Sequence, residues 1–141
     1  MEEKRMTPHH RRTLHCALIG AVAVTSLGVT AGPASAKSSL SFTAGPRSVG
    51  LGGLVRAAAK ASDDNATFNK VCVQQRWSAT AWHNAACSKP ARHAGGAVNV
   101  TLRVKQRGHL QLRAALFEGR SAQDQHPKTR STSRPITVTV H

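Results

Sequence analysis

The chain has 141 residues, with 20 Lys and Arg against 6 Asp and Glu for a formal net charge of +14, and 4% aromatic residues with no tyrosine. So few acids leave little room for paired-carboxylate chemistry or an oxygen cage for calcium, and so few aromatics weigh against a base-stacking nucleic-acid reader. The positive balance points instead to anionic partners, or to a soluble surface kept apart by self-repulsion.

Residues 1–36 have the three parts of an export signal: Lys4, Arg5, Arg11 and Arg12 as a basic start, an uncharged apolar run over 17–29, and Ala34-Ser35-Ala36 after the Gly32-Pro33 break. The reading is a helical secretory signal peptide over 1–36, cleaved after Ala36. The run is short of the about 20 apolar residues that span a bilayer, so no stable membrane span is expected after cleavage. Arg11-Arg12 faintly resembles a twin-arginine address, and general and twin-arginine export both stay open. Cys16 precedes the apolar run and follows Leu14-His15, not a small residue, so it is read as discarded with the signal and not as lipidated. Residues 37–141 then form one secreted domain, large enough for its own core. It keeps 16 Lys and Arg against Asp63, Asp64, Glu118 and Asp124, a net charge of +12.

Within that domain Leu40-Ser41-Phe42-Thr43 alternates apolar and polar, the period of a half-buried strand. A Gly45-Pro46 turn and a glycine-rich crossing over 49–53 follow. Residues 54–61 suit helix by their alanines, but Val55, Ala57, Ala59 and Ala61 fall on one side against Arg56 and Lys60. The segment is of strand length and is bounded by turn residues, so strand is expected. Residues 70–76 place Val71, Val73 and Gln75 on one face, and a short strand over 80–83 is expected to pair with them. Val98, Val100, Leu102 and Val104 alternate with polar residues, as do Leu110, Leu112, Ala114 and Leu116, and then Ile136, Val138 and Val140. Between the last two runs a long basic loop is expected over 119–134. About seven short strands with no convincing helix predict an all-β fold, a single antiparallel sandwich.

Cys72 and Cys87 are an even count in an exported, oxidising setting, which predicts a disulfide stabilising by about 3 kcal/mol in the chain-entropy picture. A zinc set drawn from Cys72, His83, Cys87 and His93 lacks the closely paired ligands of structural zinc motifs, so no metal and no cofactor is expected. Ser48 has no nucleophile elbow around it. Asp63-Asp64 fits a turn, and Gly50-Leu51-Gly52-Gly53 lacks the Lys-Ser/Thr ending of a phosphate loop. The expectation is therefore a protein that is not an enzyme.

The order of these features resembles the immunoglobulin-like β-sandwich domains of secreted actinobacterial (Streptomyces-like) proteins. The residues that carry the resemblance are Gly53-Leu54-Val55, Val71-Cys72-Val73-Gln74-Gln75-Arg76 with Trp77 or Trp82 after it, 108–114 and 133–140. It departs from antibody-type domains in having its cysteines fifteen positions apart and no tyrosine for a corner. Because Cys72 alternates with inward Val71 and Val73, the bridge is expected on an outer face or at a sheet end, pinning a hairpin and not crossing the core.

Candidate binding residues follow from this frame. Trp77 and Trp82 either fill the core or cover a sheet edge, or stand exposed beside Arg76 to stack on a sugar or peptide. Arg120, Lys128, Arg130 and Arg134 in the long loop either grip an anionic ligand or simply solvate a mobile hairpin loop. The function these residues suggest is a secreted, non-enzymatic binding or structural module, extracellular or cell-wall associated. Its partner would be an anionic cell-envelope polymer or a protein, with nucleic acid disfavoured. The alternative is a small secreted inhibitor or effector acting on another protein.

Overall fold

The computed structural model describes residues 38–141, and the signal segment expected over 1–36 lies outside them. The described chain forms strands β1 (Ser38–Gly45), β2 (Ser48–Val49), β3 (Leu54–Asp63), β4 (Phe68–Trp77), β5 (His83–Cys87), β6 (Ala91–Arg92), β7 (Gly96–Arg103), β8 (Gly108–Gly119), β9 (Lys128–Thr132) and β10 (Ile136–Val140). β3 settles the competition between helix and strand at 54–61. Its alanines do not demand helix when every second residue can be buried, and Val55, Ala57, Ala59 and Ala61 are at most 4% exposed.

Two sheets result. The smaller has the order β1-β3-β7; the larger runs β2-β10-β8-β4-β5, with β6 added to β4 and β9 to β8. All pairings are antiparallel except β2 with β10, where Ser48 and Val49 lie beside Thr139 and Val140. Three strands of one sheet facing a second sheet centred on β10, β8 and β4 is the arrangement of an immunoglobulin-like sandwich.

The core lies between the inner faces. Val55, Ala57, Ala59 and Ala61 of β3 join Val71 and Val73 of β4, Val98 of β7, Leu110, Leu112, Ala114 and Leu116 of β8, and Val138 and Val140 of β10 in one buried cluster. Leu40, Phe42 and Ala44 of β1, with Trp77, pack against its margin. Period-2 patterning thus places one face of each long strand in the core; the other face is largely exposed on β3 and β7 but covered in part on β4 and β8, where Cys72 and Ala115 are also fully buried. Gly108 closes the β7–β8 turn with φ 118°, a conformation that L side chains resist.

Two expectations are corrected. The short strand expected over 80–83 starts only at His83, because the chain first makes a tight turn: Ser78 has φ 50°, and the Thr80 amide donates back to the Trp77 carbonyl at 3.1 Å. The loop expected over 119–134 is not continuous, since Lys128–Thr132 forms β9. β8 is 12 residues long and outruns β10, which pairs only with Gly108–Leu112, so the remaining edge is taken by β9 against Ala115–Glu118. That pairing is made by backbone groups, and the side chains of β9 have no apolar alternation to announce it.

Candidate functional site

The outer face of the larger sheet carries the most organised polar cluster. On β4 the outward residues are Lys70, Cys72, Gln74 and Arg76, and on β8 their register partners are Phe117, Ala115, Arg113 and Gln111. Cys72 also lies opposite Cys87 of β5, and the two sulfurs are bonded. As expected, the bridge ties a hairpin on the outer face; bonded to each other, the two sulfurs are not thiolate ligands. Next to it the register sets two reciprocal Arg–Gln pairs. The Arg76 Nε donates to Gln111 Oε1 at 2.7 Å, and the Arg113 Nε donates to Gln74 Oε1 at 2.9 Å. Gln74 passes the chain on, its Nε2 donating to Asn84 Oδ1 at 2.9 Å.

Trp82 lies over this lattice. The guanidinium carbons of Arg76 and Arg113 sit 4.4 and 4.2 Å from the centroid of its indole ring, so both cations contact one ring. Burial, and then the neighbouring charge of Arg76, lower the pKa of Arg113 from its ordinary value, but the group remains a cation. Two unit charges within roughly 9 Å of each other repel by about 2 kcal/mol or more at an effective dielectric near 20, before salt screening. The same face continues with Lys70 over the Phe117 ring at 5.9 Å and Arg92 over Phe68 at 6.0 Å.

No acid shares that lattice. Asp63 and Asp64 end β3, while Glu118 and Asp124 lie where β8 leads toward β9, so all four carboxylates of residues 38–141 gather at one end of the sandwich. The opposite end, at the β1–β2 and β7–β8 connections, carries Arg47, Arg103, Lys105 and Arg107.

The structure separates the six binding residues expected from sequence. Trp77 packs on the core margin, while Trp82 stands on the outer face. Arg120 and Lys128 line an open cleft of about 530 Å³ with Thr67, Glu118, Asp124 and His126, where acids and cations alternate. Asp124 organises that cleft: its Oδ2 accepts from the Arg120 amide and its Oδ1 from the His126 amide, both at 2.9 Å. Arg130 is committed to Asp63, its Nε 3.2 Å from an oxygen of that 2%-exposed carboxylate. Arg134 is exposed in the connection between β9 and β10, apart from the others. Arg113, Gln74, Gln111 and Asn84 were not singled out from sequence. Their outward positions were legible in the alternation, but their neighbours depend on the β4–β8 register.

Among the described residues no group of three or more His, Cys, Asp and Glu side chains is placed to hold a metal ion. No helix among them is long and apolar enough to cross a membrane.

No protein-family description and no curated protein matches the sequence. Among solved structures the chain is similar to the CARDB domain of a Pyrococcus furiosus protein, described in complex with di-metal ions, at 10% identity and a TM-score of 0.45 over 75% of this chain and 89% of that one. It is also similar to a β-glucosidase from Listeria innocua (16% identity, TM-score 0.44) and one from Erythrobacter marinus (12% identity, TM-score 0.48). Each of these matches covers 75% of this chain but 16% of the glucosidase. The class that the strand order itself defines is an immunoglobulin-like β-sandwich domain, stapled by one β4–β5 disulfide.

Proposed function

We propose that residues 38–141 act as a secreted, non-enzymatic binding module for an anionic polymer of the cell envelope. The observation that carries this reading is the acid-free cluster on the outer face of the larger sheet, where Arg76 and Arg113 meet the ring of Trp82, with Lys70 and Arg92 near Phe117 and Phe68 toward the end of the face that Asp124 borders. A polyanion laid along that face meets several cations, each already ordered by a ring or a glutamine, so binding loses little side-chain entropy. The formal charge of +12 over residues 37–141 adds long-range attraction. An expected signal over 1–36 and a disulfide both fit an extracellular site of action.

The test is retention of the exported protein on isolated cell walls across a salt series. Retention at about 0.1 M salt, where the screening length is about 10 Å, and release by about 1 M, where it is about 3 Å, is the expected result. The second reading, capture of a secreted protein, draws on β7, which is the eight-residue edge of the smaller sheet and could add a partner strand. A one-to-one complex that survives high salt, with no retention on walls, would replace the first reading by the second.

A further inference from the structure

We propose that Arg76 and Arg113, on the ring of Trp82, form a dedicated site for the phosphodiester group of a polyol-phosphate chain. The assignment rests on the polyanion reading above and names the chemical group that this face selects.

Both guanidiniums are fixed. Each has spent its Nε on a glutamine of the neighbouring strand and lies within 4.4 Å of the centre of the same ring, yet each keeps its terminal Nη groups as donors. They therefore stand within roughly 9 Å of each other as a pair of like charges. No carboxylate among the described residues relieves them: the acid that pairs with an arginine side chain is Asp63, and its partner is Arg130. A solvated pair of arginines would swing apart, whereas here two hydrogen bonds and an indole hold the charges together. An anion that bridges them removes the repulsion and uses the free donors.

The geometry favours a phosphodiester over a carboxylate. A planar carboxylate is matched by one guanidinium, most often through a two-pronged fork that includes Nε on its side-on edge. That edge is closed on both arginines by Gln111 and Gln74. The two anionic oxygens of a tetrahedral phosphodiester carry lone pairs that are not confined to one plane, so it can accept from two guanidiniums set at different angles through Nη. The part of Trp82 that stays exposed beside the two guanidiniums offers apolar contact to the carbon chain between phosphates. Lys70 and Arg92 continue along the same face for later repeats.

The experiment measures the affinity of the exported domain for poly(glycerol phosphate), polygalacturonate and oligothymidylate of matched charge, at one ionic strength. We expect poly(glycerol phosphate) to bind about tenfold more tightly than polygalacturonate. The double variant Arg76→Gln/Arg113→Gln should abolish that preference while weak, salt-sensitive binding of both persists. Arg56→Gln/Lys60→Gln, on the outer face of the smaller sheet, removes equal charge and should weaken both polymers alike with the preference kept. Arg113→Lys retains the charge, loses the Nη donors and the bond to Gln74, and should also lose the preference; it decides the matter if the double glutamine variant does not fold. Equal affinity of the native domain for phosphate and carboxylate polymers overturns the site but leaves the polyanion reading standing. Binding of neither polymer overturns both. Oligothymidylate bound as tightly as poly(glycerol phosphate), with the same loss in the variants, overturns the polyol assignment and transfers the site to nucleic acid.

Discussion

Asp124 shows how one side chain can order a segment that has no apolar pattern. Its two oxygens accept the amides of Arg120 and His126, and these bonds, reinforced by the nearby cationic Arg120 and by His126, hold its pKa below the ordinary aspartate value. Because the folded carboxyl titrates below the unfolded one, its stabilising effect is fully present above the unfolded pKa and is lost as pH falls through the lowered value. The Arg120 and His126 amide resonances should therefore titrate together in acid, with a midpoint below that of an unfolded aspartate, and Asp124→Asn should remove the transition. A midpoint at the ordinary aspartate value would show that the two amide bonds do not hold the carboxylate. Asn69 plays a similar part in the interior. Fully buried, it donates through Nδ2 to the carbonyls of Asp63 at 2.8 Å and Ala94 at 3.0 Å, joining the end of β3 to the segment before β7.

Cys72 and Cys87 close a 15-residue separation between β4 and β5, and β5 is an edge strand whose side chains contribute little to the core. Replacing both cysteines by alanine should lower the unfolding free energy by about 3 kcal/mol, measured from the urea midpoint and slope together, the slope rising because the unlinked denatured chain exposes more surface. A loss below about 1 kcal/mol would mean that the β4–β5 pairing holds without the bridge. Long strands were legible where alternation was strict: the inward residues of β3, β7, β8 and β10 were all readable from their period. Strand β9 was not, because Lys128, Thr129, Arg130, Ser131 and Thr132 are all polar and its pairing is set by the unpaired length of β8. The candidate site was half legible for the same reason. Trp82 and Arg76 stand out in the sequence, but the diagonal that brings Arg113 to Trp82 exists only once Gln74 faces Arg113 across the β4–β8 ladder.

Across the whole molecule, charge is distributed by the direction of the strands. Because β3 ends and β4 begins at the same pole, Asp63 and Asp64 join Glu118 and Asp124 there, and the far pole is left to Arg47, Arg103, Lys105 and Arg107. A polyanion laid on the outer face of the larger sheet should shield Lys70 from acetylation more than Lys60, which is exposed on the outer face of the smaller sheet. Equal protection of the two lysines, read by mass spectrometry, would contradict an oriented complex. The parallel pairing of β2 with β10 has a mechanical consequence. The Thr139 and His141 amides donate to the carbonyls of Arg47 and Val49 at 2.8 and 3.1 Å, and the Leu51 amide donates to His141 at 2.8 Å. Tension applied between Ser38 and His141 would draw these two segments past each other lengthwise. The three bonds would then bear the load together instead of opening one by one.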